Sequence, residues 1–237
     1  MIVAVIQARM TSTRLPGKVL AEIGGRPALQ LMLERLSACR RLDRIVVATT
    51  VNATDDAVVA LCRQLGVASF RGDEADVLSR MLAAADAQGA ESIVRLTADC
   101  PIIDPAVVDE VVALFHAGDY DYASNARRRT YPDGLDVEVM RRAALARANV
   151  EARHPGLREH VTPYINGRRP EWGCGRFRLG DLCFAADFSH VRWTLDRADD
   201  LERLRRLVAR LPAGFGWMQA LSAATREPSL LGLPATS

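Results

Sequence analysis

The chain opens on an unbroken apolar run, IVAVI (Ile2–Ile6), and turns polar at Gln7. Apolar residues without alternation, bounded by polar ones, predict a strand buried on both faces. PALQLMLERLSACRRL, from Pro27, carries apolar side chains at Leu29, Met32, Leu33 and Leu36. That spacing marks one face of a helix, with proline in its first turn. The two patterns then alternate. RIVVATT (Arg44–Thr50) reads as a strand, DDAVVALCRQLG as a helix ending at Gly66, and VASF as a short strand. ADVLSRMLAAADAQG reads as a helix closed by Gly89, and SIVRLTAD (Ser92–Asp99) as a strand. DPAVVDEVVALFHAG has Asp104 as N-cap, Pro105 at the first helical position and Gly118 at its end. Strands alternating with helices predict an α/β fold, three-layer α/β/α with a mostly parallel central sheet. The loops after Ile6, Thr50 and Leu96 should share the carboxyl rim of the sheet, where such folds bind ligands.

The pattern then changes. YPDGLDVEVM (Tyr131–Met140) reads as extended after a turn, followed by helices around Arg141–Ala152 and Leu157–Ile165. GCGRFRLGDLCFA (Gly173–Ala185) has hairpin character, bending at Leu179-Gly180-Asp181. VRWTLD (Val191–Asp196) reads as a strand leading into the helix RADDLERLRRLVARL. Residues 125–187 are therefore expected to be an excursion from one domain spanning 1–226, with 227–237 a flexible tail.

Composition narrows the class. The net charge of +2 is too small to argue for nucleic acid, and no apolar run approaches bilayer length. The start of the chain lacks a basic n-region, and five scattered cysteines form no C-x-x-C pair. A cytoplasmic protein with reduced thiols and no membrane partner is expected.

The chemistry concentrates in three loops. QARMTSTRLPGK (Gln7–Lys18) follows the first strand with Arg9, Arg14, Lys18 and a single glycine before the lysine. It matches neither the P-loop nor the dinucleotide fingerprint. On residue types alone it reads equally as a solvated basic turn or a phosphate cradle. LTADCP ends a strand at Asp99, and WTLDRADDL ends another at Asp196. Two such carboxylates can share a magnesium ion with phosphate oxygens. Each also has a simpler reading, Asp99 capping a turn before Pro101 and Asp196 capping the following helix. In DGLDVEV, Asp136 and Glu138 fall on one strand face.

Five ordered blocks carry a resemblance: IVAVIQARMTSTRLPGKVLAEIGGRPAL, RLTADCPIIDP, YPDGLDVEV, REHVTPYI and RWTLDRADDLERL. Together, from Ile2 to about Leu207, they resemble the cytidylyltransferases, a family that includes the synthetases of CMP-sialate and CMP-3-deoxy-octulosonate. The closest likeness is to the subgroup named for spore-coat polysaccharide biosynthesis protein F. The resemblance implies a Rossmann-like nucleotidyltransferase fold whose α+β excursion makes a homodimer. The expected reaction is Mg2+-dependent transfer of CMP from CTP to a sugar acid or related anionic acceptor, releasing pyrophosphate. Position by position, Arg9 and Lys18 match the residues at the triphosphate, with Arg14 between them, and Asp99 and Asp196 match the metal ligands. Ala8, Ser12 and Thr97 fall at the nucleotide, and Arg71 matches an arginine near the base. Arg127, with Arg128 and Arg129 as alternatives beside it, and Asp136, Glu138 and His160 are candidates for the acceptor. The octulosonate enzymes have glutamine and glycine before the metal-binding aspartate, where Thr97 and Ala98 stand here.

Other readings stay open on sequence. They are a transferase using another nucleotide or a phospho- or phosphono-acceptor, a nucleotide-binding protein without turnover, and a glycosyltransferase. The last would carry a D-x-D metal motif, and DYD (Asp119–Asp121) follows a helix instead of ending a central strand.

Overall fold

The computed structural model describes residues 1–232. The strands, in chain order, are β1 (Ile2–Gln7), β2 (Glu22–Ile23), β3 (Arg26–Pro27), β4 (Arg44–Thr50), β5 (Ala68–Gly72), β6 (Ser92–Thr97), β7 (Tyr122–Ser124), β8 (Glu138–Arg141) and β9 (Leu179–Asp181). The helices are α1 (Ala28–Leu36), α2 (Asp56–Gln64), α3 (Val77–Ala87), α4 (Pro105–Ala117), α5 (Arg142–Glu151), α6 (Pro155–His160), α7 (Pro163–Asn166), α8 (Ala198–Val208) and α9 (Trp217–Arg226). Seven strands form one sheet in the order β5-β4-β1-β6-β8-β7-β9, and β2 pairs with β3 in a small separate hairpin. Only β8 runs against its neighbours in the large sheet. The mostly parallel α/β architecture is as the alternation predicts.

The sheet is buried on both sides, which explains the unbroken apolar strands. Along β1, Ala4 and Ile6 enter one core with α1 and α4, while Val3 and Val5 enter the opposite core with α3 and α5. The chain winds from β1 outward through β4 and β5, then returns to lay β6 on the other side of β1. That reversal opens a crevice at the carboxyl ends of β1 and β6. Asp104 caps α4 by accepting from Ala106 N at 2.8 Å, and its other oxygen accepts from Trp217 N at 2.5 Å, tying α9 to the same point. No helix among the described residues is long and apolar enough to cross a membrane.

The later half departs from expectation in instructive ways. The helix expected over 157–165 is split into α6 and α7 because Pro163 cannot continue it and disfavours helical geometry just before itself. The hairpin expected over 173–185 is absent. Instead β9 adds in parallel to the free edge of β7. Gly180 is there for close approach and not for a bend: a Cβ would stand 2.7 Å from the Tyr120 ring. The segment 191–196 is extended but makes a single bridge, Asp133 to Arg192. Its other backbone bonds go to loops, with Arg192 N donating to Leu231 O and Leu195 N to Asp99 O, both at 2.8 Å. Within the expected tail, Leu230 is fully buried and Trp193 Nε1 donates to its carbonyl. Residues 233–237 of that tail lie outside the described residues. Of the large apolar residues in the excursion, Tyr131, Leu135, Val137 and Tyr164 are buried within the chain, and Trp172 and Phe177 are half-buried.

Candidate active site

The loop after β1 is built around a buried carboxylate. Asp55 is fully buried and accepts from Met10 N, Thr49 Oγ1, Thr50 N and Thr50 Oγ1 at 2.5–3.0 Å. The loop closes where Gly17 N donates to Met10 O at 2.9 Å. Gly17 takes φ +73 there, the left-handed conformation that glycine adopts without steric cost. Lys18 follows in a 3-10 turn and points back into the crevice.

Lys18 Nζ lies 3.1 Å from Asp99 Oδ2 and 2.9 Å from Asp196 Oδ1. Two carboxylates separated by 97 positions in sequence thus converge on one cation. The Leu195 N to Asp99 O bond holds their backbones together. Gly134 makes that possible: at φ +111 it passes beneath Trp193, where a Cβ would sit 2.8 Å from the Trp193 carbonyl carbon. Asp196 does not cap α8. Arg197 is the capping position, and Asp200 Oδ2 accepts from both Asp196 N and Arg197 N at 3.0 Å. Asp196 is free to meet Lys18, Arg14 (2.8 Å) and Arg192 (2.8 Å). Lys18 and Asp196 are only 11% and 13% exposed, so their attraction is incompletely screened.

A cavity of about 410 Å³ opens here, lined by Ala8, Arg9, Ser12, Arg14, Lys18, Thr97, Asp99 and Asp196, together with Gln7 and His160. Arg9 donates to Glu74 at 3.1 Å across its wall. Arg71 is not brought to this cavity. Its Nε, Nη1 and Nη2 are bound to Thr50 O, Asp56 Oδ1 and Asn52 O at 2.6–2.8 Å, which ties the β4–α2 loop to β5. Arg80 on α3 is likewise not brought to this cavity. It is 2% exposed, donates from Nη1 to Asp73 O and Glu74 O, and leaves Nε and Nη2 without a partner. Burial holds its pKa below the usual arginine range, and the nearby charge of Arg9 adds to that. Arg80 shares the buried helix face with Val77, Met81 and Ala84.

A second cavity of about 340 Å³ adjoins the first, and His160 lines both. Asp136 and Glu138 line it too, as do Arg95, Arg129, Arg168 and Trp172. Arg127 does not; it pairs with Asp181 at the β7–β9 edge. Arg129 takes the inward place instead and grips both oxygens of Asp136. Burial still lifts the Asp136 pKa above the usual carboxylate range, against the charge of Arg129. His160 stacks on Trp172 with ring centres 5.9 Å apart, and Val161 behind it takes φ 70 and ψ −61. This is a γ-turn, closed by Thr162 N donating to His160 O at 2.8 Å. A β-branched residue there costs on the order of 1–3 kcal/mol, strain of the kind found at binding sites. The D-x-D pair Asp119 and Asp121 is elsewhere, bound to Arg141 and Arg178.

Three of these carboxylates make stability depend on pH. Burial works to raise Asp55, Glu138 and Asp196. Each nonetheless ends below its ordinary value, because hydrogen bonds from Thr50 and Met10, the charge of Arg95, and the contacts of Lys18 respectively outweigh it. A folded pKa below the unfolded one stabilises at neutral pH, and that stabilisation is lost as pH falls through the folded values, below about 4. Urea midpoints measured across this range should drop steeply, and Asp55→Asn should flatten the drop while lowering the neutral-pH midpoint.

A family model described as Cytidylyltransferase matches residues 3–207. The chain is 37% identical over 213 residues to the spore coat polysaccharide biosynthesis protein SpsF of Bacillus subtilis, covering 87% of this chain and 85% of that protein. It is 40% identical over 114 residues to the 3-deoxy-manno-octulosonate cytidylyltransferase of Geobacter sulfurreducens, covering 47% and 44% of the two chains. The structure of a cytidylyltransferase from Leptospira borgpetersenii superposes with a TM-score of 0.92 at 32% identity, covering 100% of this chain and 98% of that one.

Proposed function

The chain belongs to the cytidylyltransferase family, and from that premise we propose that it moves CMP from CTP to a sugar acid or related anionic acceptor, releasing pyrophosphate. One observation carries this reading. A basic loop and two carboxylates from remote parts of the chain converge on a cavity of about 410 Å³, and a second polar cavity adjoins it through a shared wall. The spore coat and octulosonate relatives support a sugar-acid acceptor and a role in polysaccharide assembly.

In this reading Arg9 and Lys18 hold the triphosphate from the two ends of the loop, and Arg14 closes over it. Asp99 and Asp196 would hold Mg2+: they offer hard oxygens to one point, the point that Lys18 Nζ occupies, and magnesium suits few carboxylates plus phosphate. The ion supplies charge neutralisation at the phosphates. Lys18, displaced toward the phosphates, adds a mobile positive charge beside the leaving pyrophosphate. The second cavity orients the acceptor hydroxyl toward the α-phosphorus, with Arg168 available for its anionic group. No protein nucleophile is required. Trp172 and Phe177 are the excursion's remaining contributions to a homodimer, and light scattering at micromolar concentration should give twice the chain mass.

Neither Arg71, bound within the β4–α2 loop, nor Arg80, buried outside both cavities, is given a part in holding the nucleotide. Arg71→Ala should cost about 1 kcal/mol of stability and leave nucleotide affinity unchanged. Arg80→Met should keep or raise the unfolding midpoint, because it removes a buried charge with unused donors, and leave CTP affinity unchanged. Calorimetry with urea titration separates the two. The reading as a whole is tested by pyrophosphate release with each nucleoside triphosphate against a panel of 2-keto-3-deoxy sugar acids and phospho- or phosphono-alcohols. CTP with a sugar acid should lead. Absence of binding by every nucleotide would end the proposal.

A further inference from the structure

One hydrogen-bond chain runs through the wall between the two cavities. Gln7 ends β1 and lines the first cavity. Arg95 and Glu138 line the second and are direct cross-strand partners in the β6–β8 register. Arg95 is forked between the two sides: Nη1 pairs with Glu138, and Nη2 donates to Gln7 Oε1 at 3.2 Å. Tyr122 OH donates to the other Glu138 oxygen at 2.5 Å. The carboxylate is therefore satisfied, and its charge is neutralised by Arg95.

An arginine has donors only, so the Gln7 atom it meets is the carbonyl oxygen. The amide nitrogen is the opposite end. Gln7 Nε2 makes no hydrogen bond to any described residue and is not sealed from the cavity. Its level in the sheet is set by register, with Gln7 paired to Thr97, two residues before Asp99. The reacting phosphorus must lie where the cavities meet, since the nucleotide fills one and the attacking group comes from the other. Gln7 stands at that wall.

We propose that Gln7 Nε2 donates to a non-bridging oxygen of the α-phosphate, and that Arg95, held by Glu138, fixes which end of the amide faces that oxygen. The proposal rests on the nucleotidyl-transfer reading above. Gln7 touches substrate, and Arg95 is a positioning residue acting through it. The donor gains strength as negative charge develops on the α-phosphate oxygens during attack.

The test is calorimetric affinity of the full chain, with Mg2+, for cytidine, CMP and CTP. Gln7→Leu removes the donor. Gln7→Glu also removes it but keeps an acceptor for Arg95, so the hydrogen-bond chain through the wall stays intact. Arg95→Lys keeps a charge opposite Glu138 and loses the fork. Gln7→Leu should weaken CMP and CTP roughly 10- to 100-fold, the range for a hydrogen bond to a charged group, and leave cytidine unchanged. Gln7→Glu should weaken both phosphorylated ligands further. Arg95→Lys should weaken CMP several-fold with cytidine unchanged, whereas a merely structural role for Arg95 would weaken both alike. An unaltered ratio of CMP to cytidine affinity in Gln7→Leu overturns the proposal. A wild-type chain that binds none of the three ligands sinks the nucleotidyl-transfer reading itself, which is visible without any variant.

Discussion

Asp196→Asn is expected to lower kcat/KM for nucleotidyl transfer at least about a thousandfold, roughly 4 kcal/mol at 1.36 kcal/mol per tenfold. Asp196 offers one of two carboxylates to the shared cation position, and Asp99 is the other. With one hard ligand gone, the remaining set is Asp99 and the substrate phosphates, too little to fix a magnesium ion in place. The binding of nucleotide without metal should change in the opposite direction. Lys18, Arg14 and Arg192 all face Asp196. Removing its charge leaves them for a polyanion, so metal-free CTP should bind more tightly than in the wild type. Steady-state pyrophosphate release with CTP and 3-deoxy-octulosonic acid, alongside calorimetry in EDTA, measures both. Full magnesium-dependent activity in Asp196→Asn or in Asp99→Asn would remove these residues from the metal site.

Gly134→Ala should lose about 3 kcal/mol or more of stability and nearly all activity, although Gly134 lines neither cavity. The φ of +111 is strained for any other residue, and the new methyl would meet backbone atoms of Trp193 and Thr194 at 2.8–3.0 Å. Backbone cannot swing aside as a flexible side chain can. The relief available is displacement of the segment 191–196, whose bonds Asp133 N to Val191 O and Trp193 N to Asp133 O flank the contact. That displacement separates Asp196 from Asp99. A urea midpoint and a pyrophosphate-release rate within twofold of the wild type would show that the close approach is not needed.

The two predictions draw on different levels of legibility. Arg9 and Asp99 could be placed from the chain because each follows a strand of the parallel sheet, and strand ends there share a rim. Lys18 and Asp196 rest on the resemblance, and the loop closed at Gly17 and the bond from Leu195 N to Asp99 O bring them to that rim. Arg71 and Arg127 could not be sorted from Arg129 in the same way. All are arginines near the right blocks, and what separates them is which hydrogen bonds their guanidinium groups have already made. The excursion was least legible. Gly180 looked like a turn and serves as a gap for Tyr120, and the 191–196 segment looked like a strand and bonds to loops.

The sequence by itself determined the strand and helix periods, the parallel α/β core and the two acidic loops that face one basic loop. These follow from local spacing, because hydrophobic burial acts on period and not on partner identity. Tertiary structure alone decided which of several like-charged side chains remain free, that Lys18 spans both carboxylates, and that the Gln7 amide presents its nitrogen. Each depends on hydrogen-bond partners brought together from remote parts of the chain. A donor is available to a ligand only when the fold has left it unspent.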